Sequence, residues 1–203
     1  MLGGYALMVI GLTGRSCAGK DEVASILSSL GFFIIDEDKL GHEALDANKE
    51  KLVSLFGSGI LTDGSVDRRK LGSIVFGDKE KLEQLEAISH PWMVNESRRL
   101  AEEAEEKGLD VVINAAILKR LGLDGISDEI LFIDAPFELR ARRAEARNGT
   151  KYEDFLKREQ NQEDIVSTFE TFGGRIVKII NDGDKSTLCR QVKEYCDTIL
   201  ARG

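Results

Sequence analysis

Residues 9–22 read Val9-Ile10-Gly11-Leu12-Thr13-Gly14-Arg15-Ser16-Cys17-Ala18-Gly19-Lys20-Asp21-Glu22. The apolar run Ala6–Leu12 reads as a short buried strand. From Asp21 to Leu30, apolar residues recur at Val23, Ile26, Leu27 and Leu30, which is a helical period, and Gly31 suits a helix C-terminus. Between strand and helix, Gly14 to Lys20 matches the GxxxxGK pattern of a phosphate-binding loop in the setting that pattern needs. Gly14 and Gly19 let the backbone curl with its N–H groups inward. The helix N-terminus adds partial positive charge, and Lys20 reaches the β- and γ-phosphates.

The position after the lysine is normally Ser or Thr, whose hydroxyl ligates Mg²⁺. Here it is Asp21, followed by Glu22. Two like unit charges 4 Å apart repel by about 4 kcal/mol at an effective dielectric near 20, so unbalanced carboxylates here weaken nucleotide binding. A carboxylate is also a good Mg²⁺ ligand, and acidic residues favour a helix N-terminus in any case. A second buried strand, Phe32–Ile35, runs into Asp36-Glu37-Asp38. In open α/β sheets ligands bind beyond the carboxyl ends of the strands. A carboxylate there can take a proton from an attacking hydroxyl or hold Mg²⁺ through water. Asp38 can equally cap a helix starting at Lys39.

Further strands are expected at Val111–Ile113, Ile130–Ile133 and Arg175–Ile180. Helices are expected at Lys39–Phe56, Arg68–Phe76, Lys79–Ile88, Pro91–Lys107, Phe137–Arg147, Lys151–Ser167 and Asp184–Ala201. Pro91 suits the first turn of its helix, and Gly57–Gly64 reads as a loop. Strands alternating with helices give an α/β fold: a three-layer α/β/α sandwich around a five-stranded parallel sheet.

A net charge of −8 and only 6% aromatic residues disfavour nucleic-acid binding, which needs a basic face and stacking platforms. The balance reverses locally: Glu138–Arg158 holds seven basic residues against four acidic ones, including Arg140, Arg142, Arg143 and Arg147. No apolar run has the ~18 residues of a membrane span, so no membrane partner is expected. Cys17, Cys189 and Cys196 lack disulfide or metal spacing, which fits a cytoplasmic protein. His42 and His90 make no zinc cluster.

Taken together, several segments resemble the dephospho-CoA kinase family along nearly the whole chain. They are Ile10–Gly14 leading into Gly19-Lys20; Ile34-Ile35-Asp36-Glu37-Asp38; Val66-Asp67-Arg68-Arg69-Lys70-Leu71 ahead of Val75-Phe76; Leu85-Glu86-Ala87-Ile88-Ser89-His90-Pro91; and Ile180-Asn181-Asp182-Gly183. The resemblance implies a P-loop kinase fold with strand order 2-3-1-4-5, a core (1–40, 108–135, 168–203), a helical substrate domain (41–107) and a lid (136–167). It implies ATP and Mg²⁺ as cofactors and dephospho-CoA as the small-molecule substrate, phosphorylated on its ribose 3′-hydroxyl.

By the same resemblance, Gly14, Arg15, Ser16, Cys17, Ala18, Gly19, Lys20, Asp21 and Glu22 line the ATP phosphates. Asp38 is the general base, with Lys20 and Arg142 beside it in catalysis; the carboxylates of Asp21, by its chemistry rather than by the resemblance, and of Asp38 are the candidates to face the metal. Arg147, Asn181 and Gly183 bind ATP, with Asn181 and Gly183 beside the adenine. Arg68, His90 and Pro91 bind the acceptor, and Gln160 or Gln162 is the lid glutamine; Asp36 is a further acceptor candidate, as is Lys119, which with Arg120 stands where the chain departs from the family and offers compensating phosphate contacts. The chain departs from the family where Cys17-Ala18-Gly19-Lys20-Asp21-Glu22 replaces Gly-Ser-Gly-Lys-Ser-Thr. It departs again where Asn114-Ala115-Ala116-Ile117-Leu118-Lys119-Arg120 replaces an acidic residue and Pro-Leu-Leu-Phe-Glu. A P-loop kinase for another nucleotide or nucleoside acceptor, or a non-catalytic nucleotide- or CoA-binding protein, remains the alternative, and a monomer or small homo-oligomer is expected.

Overall fold

The computed structural model describes residues 7–160 and 163–200. The chain divides into two compact units, Met1–Ile35 with Leu100–Gly203, and Asp36–Arg99. Residues 136–167 fall within the first.

The first unit is built on a sheet of β1 (Val9–Gly14), β2 (Phe33–Asp36), β5 (Val111–Asn114), β6 (Glu129–Asp134) and β7 (Arg175–Ile180), in the order β2-β5-β1-β6-β7. β1 lies parallel to β5 and β6, and β6 parallel to β7. Counting only the strands of this sheet, the order is the expected 2-3-1-4-5. Alternate residues of each strand reach opposite faces. Ile10, Leu12, Val112, Leu131, Ile133 and Ile179 meet Val23, Ile26 and Leu27 of α1 (Lys20–Ser29) and Leu188, Val192 and Ile199 of α9 (Lys185–Leu200) in one buried cluster. On the opposite face Phe132 packs edge-on against Phe169, with ring centroids 4.7 Å apart. Phe169 belongs to α8 (Glu163–Thr171).

The second unit has its own smaller core of Leu52, Ile60, Leu71 and Val75. Its elements are α2 (Glu37–Ala47), α3 (Lys49–Phe56), a hairpin of β3 (Leu61–Thr62) and β4 (Ser65–Val66), α4 (Arg68–Val75), and the start of α5 (Lys79–Glu106). Asp67 caps α4, accepting from Arg69 N and Lys70 N and from the Thr62 hydroxyl. The Thr62 bond and the backbone bonds lower its pKa.

Four sequence expectations need correction. The helix expected over Lys39–Phe56 is two, broken at Asn48, whose amide folds back on the Ala44 carbonyl at 2.9 Å. The loop Gly57–Gly64 contains a 3₁₀ turn and the first hairpin strand. The Asp63-Gly64 pair, both at positive φ (49° and 82°), makes a tight two-residue connection. Pro91 does not start a helix: α5 runs unbroken from Lys79 through it, with the ring exposed on the outer side. The helix expected over Lys151–Ser167 is instead α7 (Tyr152–Gln160) and α8.

The tightest approach in the first unit is at Gly14. Arg15 N donates to the Ile133 carbonyl at 3.0 Å, and a Cβ on Gly14 would stand 2.2 Å from that oxygen. Both atoms are backbone and cannot rotate aside. Gly14→Ala is therefore expected to destabilise the protein by at least about 1–3 kcal/mol, read as a lower urea midpoint. An unchanged midpoint would contradict this packing.

Candidate active site

The phosphate loop joins β1 to α1. Gly19 is the N-cap of α1 in the left-handed region (φ 100°), and no side chain caps the helix there. The first-turn N–H groups have no partner within their own helix, so this uncapped end offers donors to an anion. A Cβ on Gly19 would stand 2.4 Å from the Asn181 amide nitrogen. Glycine is thus required both by conformation and by that neighbour. Cys17 also adopts positive φ, 59°.

The carbonyl side of the loop is held from outside. Buried Asn181 donates from Nδ2 to the Ala18 carbonyl at 2.8 Å. Arg143, on α6 (Phe137–Asn148), reaches the Cys17, Ala18 and Asn181 carbonyls at 3.3–3.5 Å. Arg140, one turn earlier, reaches the Ser16 carbonyl at 3.5 Å and the Ala135 carbonyl at 2.9 Å. It is 2% exposed and pairs through two nitrogens with Glu159 of α7 at 2.6 Å. Glu159 also takes Arg15 Nη1 at 2.6 Å, while Arg15 Nε lies 3.5 Å from Asp134. Burial pushes the Asp134 carboxyl up, but its bonds from Lys178 and Ala135 N and the nearby Arg15 outweigh this and hold it below its ordinary value.

Lys20 is the cation of the loop. Its Nζ donates to Asn114 Oδ1, at the end of β5, at 2.5 Å and stands 3.5 Å from Asp21. Glu22 is paired with Lys185 at 2.6 Å, which raises the lysine pKa. Asp21 keeps an exposed carboxylate, 65% accessible.

The second unit carries Asp36, Asp38, Arg68, His90 and Pro91. Asp36, not Asp38, is the helix cap: its Oδ1 accepts from Asp38 N at 3.0 Å and Lys39 N at 3.3 Å. Asp38 lies exposed in the first turn of α2. Between them Glu37 is buried, and burial pushes its carboxyl up to about 7. A bond from Ser97 opposes the shift, and Asp36 and Asp38 add to it. Arg68 meets His42 Nε2, a partner absent from the sequence reading. His90 is half-buried on α5.

Lys119 is paired with Asp124 at 2.6 Å. Arg120, Arg142, Arg147 and Gly183 are exposed. The side chain of Gln160 and the whole of Gln162 lie outside the described residues. Sequence reasoning noted Arg140 and Arg143 only as part of a basic stretch and missed their hold on the loop. Their i, i+3 spacing on one helix was the available signal. Asn114 was passed over although it ends a strand beside the loop.

A family model described as dephospho-CoA kinase matches residues 8–170. A dephospho-CoA kinase of Carboxydothermus hydrogenoformans is 40% identical over 157 residues, 75% of this chain and 76% of that one. One from Fusobacterium nucleatum is 32% identical over 200 residues, 96% of this chain and 100% of that one. A crystal structure of a Thermus thermophilus protein superposes with a TM-score of 0.74 at 32% identity, covering 96% of this chain and 98% of that one.

Among the described residues, the Asn181 contact at 2.8 Å is the shortest side-chain tie to a carbonyl of the loop. Asn181→Ala leaves the Ala18 carbonyl without it, at a cost of about 1–3 kcal/mol. ATP affinity measured by calorimetry is expected to fall about tenfold or more, and an unchanged Kd would contradict the role given to this tie.

Proposed function

The chain belongs to the dephospho-CoA kinase family, and on that premise we propose how its residues divide the work. The enzyme uses ATP to phosphorylate dephospho-CoA, giving coenzyme A and ADP. The observation that carries our reading is the phosphate loop: an uncapped helix N-terminus beside Lys20, with its carbonyl oxygens bound from behind by Asn181, Arg140 and Arg143.

In this reading the loop N–H groups from Arg15 to Lys20 cradle the ATP phosphates, and Lys20 balances charge as the γ-phosphoryl moves. Asn114 holds the Lys20 ammonium at a fixed place. Asp38 accepts the proton of the ribose 3′-hydroxyl, and its exposed carboxylate leaves it open to do so. Asp36 is engaged as the helix cap and acts through the backbone of Asp38. Arg68 and His90 bind the acceptor. Arg142 and Arg147, exposed on the helix that also carries Arg143, supply cationic charge to the bound phosphates.

A magnesium ion fits the donor set. Among the described residues no group of three carboxylate, imidazole or thiol side chains could hold a metal unaided. Mg²⁺ with a nucleotide normally takes one or two carboxylates and completes its shell with phosphate oxygens and water. Asp21, exposed next to Lys20, is the carboxylate that would hold it. A bound ion would supply charge neutralisation to the nucleotide phosphates.

The pairing of Glu22 with Lys185 and the approach of Lys20 to Asp21 support a working nucleotide site over a binding-only protein. The described helices include none long and apolar enough to cross a membrane. The free cysteines fit a reducing cytoplasm, which is where we place the enzyme.

Lys20→Ala and Asp38→Asn are each expected to lower kcat at least about 100-fold in a coupled ADP assay. Near-normal turnover by Asp38→Asn would remove Asp38 from the role of base. Asp21→Ser separates ligand from liability. If Asp21 holds Mg²⁺, the variant loses activity or shifts its preference between Mg²⁺ and Mn²⁺. Faster turnover with an unaltered metal preference would contradict that assignment.

A further inference from the structure

Glu37 is a charged residue type placed where the fold excludes water. It is 3% exposed, and Ser97, its partner sixty positions later on α5, is fully buried. Glu37 Oε1 lies 2.5 Å from Ser97 Oγ, which lies 2.8 Å from the Met93 carbonyl oxygen. The serine hydroxyl has one proton and two neighbouring acceptors. Both contacts are hydrogen bonds at once when the acid donates to Ser97 Oγ and Ser97 donates to Met93. Glu37 Oε2 is buried and meets no donor among the described residues. An apolar side chain would fill this position without leaving an unpartnered oxygen. The acid therefore calls for a reason beyond packing.

Its neighbours supply the reason. Successive residues of a helix point about 100° apart around the axis. Fixing the side chain of residue 37 by a directional bond fixes the rotation of the first turn, and so the direction of residue 38. Apolar contacts at Leu40 and Ala44 bury the same face of α2, but they are non-directional. The Asp36 cap fixes the start of the turn along the chain. The Glu37–Ser97–Met93 chain then fixes its rotation against α5.

We propose that Glu37 is a positioning residue for Asp38: its buried carboxyl, linked through Ser97 to the Met93 carbonyl, sets the direction in which Asp38 meets the acceptor hydroxyl. This rests on the reading of Asp38 as the base. A glutamine at position 37 can donate from its amide to Ser97 in the same place, whereas a leucine fills the space and donates nothing.

The test measures kcat and the KM for ATP in Glu37→Leu, Glu37→Gln and Ser97→Ala, alone and with Asp38→Asn, with thermal melts to confirm folding. Misplacing a reacting group by an ångström costs up to about 100-fold. Glu37→Leu and Ser97→Ala are expected to lower kcat about tenfold or more, with the KM for ATP unchanged. Glu37→Gln is expected to stay within about threefold of the parent. In the Asp38→Asn background, Glu37→Leu should have no further effect, the signature of two residues acting as one unit. Should Glu37→Leu not fold, Ser97→Ala carries the test, because it removes one hydroxyl. Parent-like kcat in Glu37→Leu or Ser97→Ala overturns the positioning role alone. So does an equal loss in Glu37→Gln, or an undiminished effect of Glu37→Leu in the Asp38→Asn background. Near-normal turnover by Asp38→Asn alone overturns the base reading and this proposal with it.

Discussion

The structure of the nucleotide site depends on holding one side of a peptide loop so that its other side is free. Each peptide unit points its N–H and its C=O in opposite directions. A loop that turns N–H groups toward an anion must therefore turn carbonyls away from it, into the body of the protein. There each carbonyl needs a donor or costs about 1–3 kcal/mol. Asn181, Arg140 and Arg143 are those donors. Arg143 also brings a cation behind the loop, whereas the charge of Arg140 is matched by Glu159. Arg140 can be buried because Glu159 takes two of its nitrogens and the Phe137 and Phe155 rings lie 5.7 Å from its guanidinium carbon.

Local charge pairing, separate from that shell, explains why a loop ending in Lys20-Asp21-Glu22 is tolerable. Glu22 is matched by Lys185 and Asp21 lies near Lys20, so the two extra negative charges do not face the phosphates unopposed. Asn114 extends the pattern. A neutral amide at the end of β5 orients the Lys20 ammonium without cancelling its charge, as a carboxylate there would.

Much of this was legible in the sequence because it is local. The strand, the glycine spacing and the helix of the phosphate loop lie within about twenty consecutive residues, and the alternation of strands and helices gives the sheet. What was not legible depends on orientation or on distant partners. A basic stretch shows that arginines are present, but the rotation of α6 decides that Arg140 and Arg143 hold the loop while Arg142 faces solvent; Arg147, on the Arg143 side but one turn further along, is exposed as well. The sequence offers Asp38 as a cap, and only backbone geometry shows that Asp36 is the residue that receives the first N–H groups. Glu37 stands in a run of three acids, Asp36-Glu37-Asp38. That the middle one is buried follows from a serine sixty residues away. Pro91 misled for a physical reason: proline usually begins or breaks a helix, yet with its ring on the exposed side α5 continues through it.

The central claim is that this loop delivers the γ-phosphoryl of ATP to dephospho-CoA. The most direct measurement is simultaneous quantitation of ADP and coenzyme A from Mg-ATP and dephospho-CoA, with Lys20→Ala as the control. The account predicts equal amounts of the two products, dependent on dephospho-CoA and lost in the Lys20→Ala variant. ADP released without coenzyme A, or coenzyme A formed at the parent rate by Lys20→Ala, would contradict it.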